Sequence, residues 1–292
     1  MLPFLTMKSI PHILASAPVI EAKKQKLIQQ CQQLKAKNII PSLKVILVGE
    51  NPASIIYTRN KKKFCEAIGA ECEIIKLPKA LSEKDFLSEV KKIADNKLVH
   101  GCFVQLPLPA QLSHIDVGQL IPPDKDVDGF HAQNLYELMK GASTKSFLPP
   151  CTPKGIMTLL KFYEIPIAGK NIVIVGRSMI VGKPLMLLLT QRDATVTLCH
   201  SKTKNLSEIT KKADIVVTAI GRANFFGKEY FSPGQIVIDV GINKDKNDKL
   251  CGDVDFEKVA PIVSHITPVP GGVGPLTILT LVRNLLQVAQ KI

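Results

Sequence analysis

Short apolar runs alternating with helix-length segments constrain this chain more than any other feature of its sequence. Leu43-Lys44-Val45-Ile46-Leu47-Val48-Gly49 is the first, and runs at 72–77 and 101–106 leave room for helices over 52–68, stopped by Gly69, and 82–96, capped by Ser82. Parallel strands need a crossover of about a dozen residues, usually helical, and strands covered on both faces read as near-continuous apolar stretches. The pattern therefore predicts an α/β protein with largely parallel sheets. Pro107, Pro109, Pro122 and Pro123 then interrupt it and predict loops. Runs at 171–175, 194–199, 214–218, 235–239 and 262–266 predict a second unit. A chain of 292 residues is long enough for two domains. The division expected is residues 1–148 plus 275–292, with a polar helix near 20–38 and a last helix folding back, and 149–274, which Thr152-Pro153 opens as a cap and first-turn pair.

The segment after the first strand carries the first chemical signal. Asn51 suits a helix N-cap and Pro52 the first helical position, where a missing N–H costs nothing. Tyr57 and Lys61, four residues apart, then share one stripe of that helix, while Lys62 and Lys63 point away as an ordinary solvated face. A ring and an amine presented together at a strand-to-helix junction can hold a flat heterocycle and act on it.

A second signal lies at Asn171–Val175, which runs into Gly176-Arg177-Ser178-Met179-Ile180-Val181-Gly182-Lys183-Pro184 and the apolar Leu185–Leu189. Strand, glycine loop and helix in that order form the setting in which backbone N–H groups cradle a dinucleotide phosphate. Ser178 occupies the place of the usual second glycine, and Gly182 falls one place late. The next strand ends in Cys199-His200-Ser201-Lys202, with no Asp or Glu to bind ribose hydroxyls or repel a 2′-phosphate, so the cofactor expected is NADP. Asp124-Lys125-Asp126-Val127-Asp128-Gly129 copies the opening of a calcium loop, but position twelve is Leu135 and Pro122-Pro123 stands where the entering helix should end. No metal is expected. A carboxylate here is instead suited to the amidine-like N–H pair of a pterin or guanine ring, which it binds with two parallel hydrogen bonds.

Composition sets the outer bounds. The net charge is +13, and within residues 1–63 eleven lysines and arginines face two glutamates. Such an excess raises a basic nucleic-acid-binding module as an alternative. With 5% aromatic residues and no Trp the chain lacks stacking platforms for it, so no nucleic-acid partner is expected, and an acidic small substrate explains the excess equally well. Seven cysteines without a C-x-x-C spacing predict neither zinc nor disulfides, hence a reducing, cytoplasmic setting. No apolar run reaches the length of a membrane span, so no membrane partner is expected. Ala15-Ser16-Ala17 mimics a signal-cleavage site, but Pro11 and His12 interrupt the apolar stretch before it and Lys8 is the only basic residue ahead; with no acidic residue before Glu21, a short organellar presequence stays open.

Taken in series, these segments resemble the bifunctional methylenetetrahydrofolate dehydrogenase/methenyltetrahydrofolate cyclohydrolase family over nearly the whole chain. The carriers are Val48-Gly49 with Pro52-Ala53-Ser54 and 57–61, Gly101–Pro109, Pro123–His131, Pro150-Cys151-Thr152-Pro153-Lys154-Gly155, 176–184, 199–201, Ile238-Asp239-Val240-Gly241, Gly252-Asp253-Val254 and Thr267–Pro275. Departures include Ala132-Gln133 in place of the family's Pro-x and Leu276 where Met is common.

The resemblance implies an N-terminal α/β catalytic domain and a Rossmann-like NADP-binding domain with a parallel sheet, separated by a cleft. It implies that Tyr57 stacks on the folate ring, Lys61 is the principal catalytic residue, Gln105 positions it and Asp128 holds the pterin. Pro270, Gly271 and Gly272 would contribute to substrate binding, and Gly176, Arg177, Ser178, Ser201 and Ile242 to cofactor binding. Tetrahydrofolate derivatives would be the substrates and a homodimer the assembly. Another two-domain NADP-dependent dehydrogenase is the neighbouring alternative, against which Tyr57, Lys61, Gln105 and Asp128 speak together. His131, Cys151 and Asp239, though inside matched motifs, read as loop, packing and backbone-binding residues.

Overall fold

The computed structural model describes residues 12–291. In chain order its elements begin with β1 (His12–Ile13), α1 (Ser16–Lys35), β2 (Ser42–Val48), α2 (Pro52–Ala67), β3 (Glu71–Leu77), α3 (Glu83–Asp95), β4 (Gly101–Val104) and α4 (Ala132–Met139). They continue with α5 (Cys151–Phe162), β5 (Asn171–Val175), α6 (Gly182–Thr190), β6 (Thr195–Cys199), α7 (Leu206–Lys211), β7 (Ile215–Thr218), β8 (Ile236–Asp239), β9 (Asn243–Lys244), β10 (Leu250–Cys251), α8 (Phe256–Val259), β11 (His265–Ile266) and α9 (Val273–Ala289).

The described chain divides into two compact units, residues 21–151 with 278–291 and residues 12–20 with 152–277. In the first, a three-stranded parallel sheet runs β3-β2-β4, with Val45 opposite Ile74 and Phe103. One core cluster gathers Ile46, Val48 and Val104 of this sheet with Phe86, Val90 and Ile93 of α3. That helix starts where Ser82 accepts from the Asp85 N–H, and Lys125 donates to the carbonyls of Ala94 and Asn96 at its other end. Gly101 is needed at the start of β4, since a Cβ there would be driven into the Val127 side chain.

The second unit is a six-stranded parallel sheet ordered β1-β11-β8-β7-β5-β6. Its strands β5, β7 and β8 carry Val173, Val175, Val216 and Val237 into one core with Phe226, Phe231, Val259 and Ile266.

Three expectations change. The first helix begins at Ser16 rather than near residue 20, because the Ser16 N–H and hydroxyl both donate to the Gly271 carbonyl and anchor its start. The strand before it, β1, pairs with β11 and so joins the second unit, although the sequence groups it with the first. Thr152 is not a cap, since α5 already includes Cys151; its hydroxyl instead meets the Thr277 hydroxyl at 3.0 Å. Ala15-Ser16-Ala17 lies at this helix start, while the basic and apolar residues before Pro11 belong to a presequence reading that lies outside the described residues.

Candidate functional site

Helix α2 buries an unusual stripe: Ser54, Thr58, Lys61 and Cys65 face inward while Ile56 is exposed. Its start is as the sequence predicts, with the Asn51 side chain accepting from the Ser54 N–H at 3.1 Å and Pro52 at the first position. Gly49, at φ +76°, turns β2 toward it in a conformation that favours glycine. A polar stripe on the buried side of a helix runs against ordinary patterning and marks a place kept for chemistry.

Lys61 is 2% exposed, and its Nζ lies 3.2 Å from Gln105 Oε1. Gln105 follows β4, its N–H still bonded to the Ile46 carbonyl, and its Nε2 donates to the Leu106 carbonyl at 2.8 Å. Only the amide nitrogen can donate there, so the carbonyl end must face the amine. Two rings complete the surroundings, Phe103 at 3.9 Å and the half-buried Tyr57 at 4.7 Å from Nζ to centroid. Burial pushes the Lys61 amine below its ordinary pKa, and the negative charge of Asp128 opposes that shift. The two ring faces also favour the charged form. None of the ion pairs among the described residues involves Lys61.

Asp128 is half-buried on a segment fixed from several sides. Asp126 accepts from the N–H groups of Gly129 and His131 and from Asn134 Nδ2, at 3.0, 2.7 and 3.1 Å. Burial nonetheless pushes its carboxyl up to about 6. Those three bonds occupy the carboxylate that a calcium loop would need as a ligand. Asn284 of α9 donates to the carbonyls of Val127 and Pro149, and Cys151 Sγ lies 3.2 Å from the Val127 oxygen. His131 caps α4 by accepting from the Gln133 N–H. Phe103 has no role in the sequence reading, yet it stands two residues before Gln105 in an extended segment, where alternation places both on one face.

The second unit holds the glycine loop. Gly176 has φ +133°, and a Cβ on it would strike the Ala219 carbonyl; one on Gly182 would strike the Gly176 carbonyl. The loop is therefore folded back so tightly that α6 must begin with glycine. Ser178, standing where a glycine is usual, accepts from the Val181 N–H through its hydroxyl and from the Lys183 N–H through its carbonyl. Arg177 and Ser178 are exposed, as are Ser201 after β6 and Ile242 after β8. All follow the carboxyl ends of parallel strands, where ligands of open α/β sheets bind. A cradle closed by two obligatory glycines beside a helix N-terminus fits a dinucleotide phosphate.

His200 accepts from the Lys202 N–H, so its ring orders the turn that presents Ser201. Pro270, Gly271 and Gly272 also belong to this unit, between β11 and α9; Gly271 takes φ +102°. Tyr57, Lys61, Gln105 and Asp128 all belong to the other unit.

Asp239 accepts from the N–H groups of Gly241, Asp253 and Val254 and from the Thr218 hydroxyl. Its carboxyl is pushed up to about 6 by burial.

Residues 14–128 match the family described as the tetrahydrofolate dehydrogenase/cyclohydrolase catalytic domain, and residues 150–292 the corresponding NAD(P)-binding domain. The chain is 52% identical over 259 residues to the bifunctional protein FolD of Lysinibacillus sphaericus, covering 89% of this chain and 90% of the relative. Among solved structures, the bifunctional FolD methylenetetrahydrofolate dehydrogenase/cyclohydrolase of Campylobacter jejuni superposes with a TM-score of 0.91 at 42% identity, over 96% of this chain and 98% of that one. The Trypanosoma brucei methylenetetrahydrofolate dehydrogenase-cyclohydrolase, complexed with NADP cofactor and inhibitor, gives a TM-score of 0.89 at 32% identity over the same shares.

Proposed function

The chain belongs to the tetrahydrofolate dehydrogenase/cyclohydrolase family, and from that membership we infer an NADP-dependent oxidation of 5,10-methylenetetrahydrofolate followed by hydrolysis of the methenyl product to 10-formyltetrahydrofolate. The observation that carries the residue assignment is Lys61, an amine buried beside a glutamine and two rings rather than beside a carboxylate partner.

NADP supplies the hydride acceptor when bound. Oxidation of the methylene bridge leaves a resonance-stabilised cation, so the step needs alignment more than a proton relay. Tyr57 offers a ring face to the folate, and Asp128 accepts the paired N–H groups of the pterin edge. Ring opening differs. Water adds to the methenyl carbon, and a group beside it must take up and return a proton. Lys61 suits that role because burial lowers its pKa below that of an ordinary amine, which makes the proton easier to give up. Gln105 orients it through a neutral acceptor, which holds the amine without locking it in the charged form as a carboxylate would.

Gly176, Arg177, Ser178, Ser201 and Ile242 line the cofactor in this reading, with Pro270, Gly271 and Gly272 contributing to the substrate side. The strand end at His200-Ser201-Lys202, free of carboxylates, supports NADP over NAD. Family membership supports a homodimer that serves one-carbon metabolism in the cytoplasm, including the supply of formyl groups for purine synthesis. Among the described residues no helix is long and apolar enough to cross a membrane.

The test is spectrophotometric. Purified protein should reduce NADP when methylenetetrahydrofolate is supplied and should speed the loss of methenyltetrahydrofolate absorbance above the spontaneous rate. Absence of both would overturn the assignment; faster turnover with NAD at equal low concentration would overturn the cofactor.

A further inference from the structure

Asp253 is fully buried in the second unit, and the hydrogen bonds of its carboxylate go to residues other than those assigned above to substrate or cofactor. Its Oδ2 accepts from the N–H groups of Ile220 at 2.6 Å and Gly221 at 3.2 Å, and its Oδ1 from the N–H of Arg222 at 2.8 Å. Asn243 Nδ2 donates to Oδ1 as well, at 2.9 Å. Three consecutive N–H groups converging on one anion form a nest, a concavity with a built-in preference for negative charge. Gly221 provides the left-handed residue that such a turn requires, at φ +66°. Here the anion is the protein's own.

The nest lies immediately after β7, and the residue before it connects the network to the glycine loop. A Cβ on Gly176 would strike the Ala219 carbonyl, so residue 219 and the loop after β5 are packed without clearance. On its other side Asp253 holds Asn243, next to Ile242, while its own N–H donates to Asp239, which fixes Gly241. Gly241 has no room for a side chain, because a Cβ there would strike the Asp253 carboxylate. One buried carboxylate thus ties the loop after β7 to the loop after β8 and, through Ala219, backs the loop after β5.

We infer that Asp253 is a positioning residue for the cofactor, fixing the loop after β8 that carries Ile242 and, through the loop after β7, backing the glycine loop after β5. The inference deepens the proposed function and rests on it. Asp253→Asn keeps the size but replaces one acceptor oxygen with an NH2 that faces N–H donors, so the nest must open. NADP affinity, measured by fluorescence titration or calorimetry, should fall at least tenfold, and the NADP KM should rise by a similar factor. Methenyltetrahydrofolate hydrolysis, assigned to Lys61 in the other unit, should stay within about twofold of wild type, a split that simple loss of folded protein cannot produce.

Should Asp253→Asn fail to fold, Asn243→Ala removes one donor and leaves the carboxylate; it should raise the NADP KM severalfold. Unchanged NADP affinity in folded Asp253→Asn, or unchanged KM in Asn243→Ala when the first variant is insoluble, overturns the inference. A wild-type chain that binds no NADP overturns the functional reading and the inference with it, whereas normal wild-type binding with an unaffected variant overturns the inference alone.

Discussion

Lys61 carries a cost that its function explains. Desolvation disfavours its charged form, and Phe103, Tyr57 and the Gln105 carbonyl compensate only in part. Because its folded pKa is depressed below the unfolded value of about 10.4, its favourable contribution is complete only above that pH and is lost as pH falls through the folded value. At neutral pH the amine therefore destabilises the fold. Lys61→Met should abolish enzyme-dependent hydrolysis of methenyltetrahydrofolate and leave NADP affinity unchanged. It should also raise stability near pH 7 by about 1 kcal/mol, the low end for replacing a buried charge by an apolar side chain. The gain, followed as Tm against pH, should shrink as pH approaches 10. Undiminished hydrolysis would remove Lys61 from the mechanism. Asp128 gives a linked test, since its charge opposes the downward shift of the amine. Asp128→Asn should move the Lys61-dependent limb of the hydrolysis profile to lower pH, and Asp128→Ala should weaken folate binding by about 2 kcal/mol through loss of a paired, charge-assisted hydrogen bond. A profile that stays in place would separate the two residues.

At the scale of elements, the junction between β5 and α6 tolerates no side chain at Gly182, where a Cβ meets the Gly176 carbonyl rather than a flexible side chain. Gly182→Ala should therefore push α6 away from the loop and lower NADP affinity by more than tenfold, while hydrolysis at Lys61 persists; titration of NADP on a folded preparation checks it, and wild-type affinity would dismiss the tight-loop argument. Much of this architecture was legible in the sequence. The apolar runs mark β2, β4, β5, β7 and β8 because strands covered on both faces need no alternation, while the edge strands β3 and β6 alternate in burial. The cap at Asn51 and the Tyr57–Lys61 stripe follow from helical spacing alone. What stayed hidden depends on long-range pairing. The two-residue β1 exists only because β11 offers it a partner, and Ser16 starts its helix only because the Gly271 carbonyl is in reach. Phe103 escaped for another reason: it reads as one more apolar strand residue, and only the position of the amine gives its ring a role.

Taken whole, the chain passes between its two units at 20/21, 151/152 and 277/278, so neither unit is a single stretch of sequence. The last two crossings are neighbours, since the hydroxyls of Thr152 and Thr277 lie 3.0 Å apart. The first unit can therefore be closed without the second by joining residue 151 to residue 278 through a short glycine linker. The returning helix is indispensable to it: Leu279, Leu281, Val282, Leu285 and Leu286 of α9 are buried, and Asn284 bonds the carbonyl of Val127, next to Asp128, and that of Pro149. Each buried leucine removed with that helix would cost on the order of 2–5 kcal/mol, more in sum than a domain's usual margin of about 5–15 kcal/mol. Residues 21–151 linked to 278–291 should accordingly unfold cooperatively in a circular-dichroism melt, whereas residues 21–151 alone should show no cooperative transition. A cooperative melt of the shorter fragment would mean that α9 is an accessory to the fold and that the loop carrying Asp128 is held without Asn284.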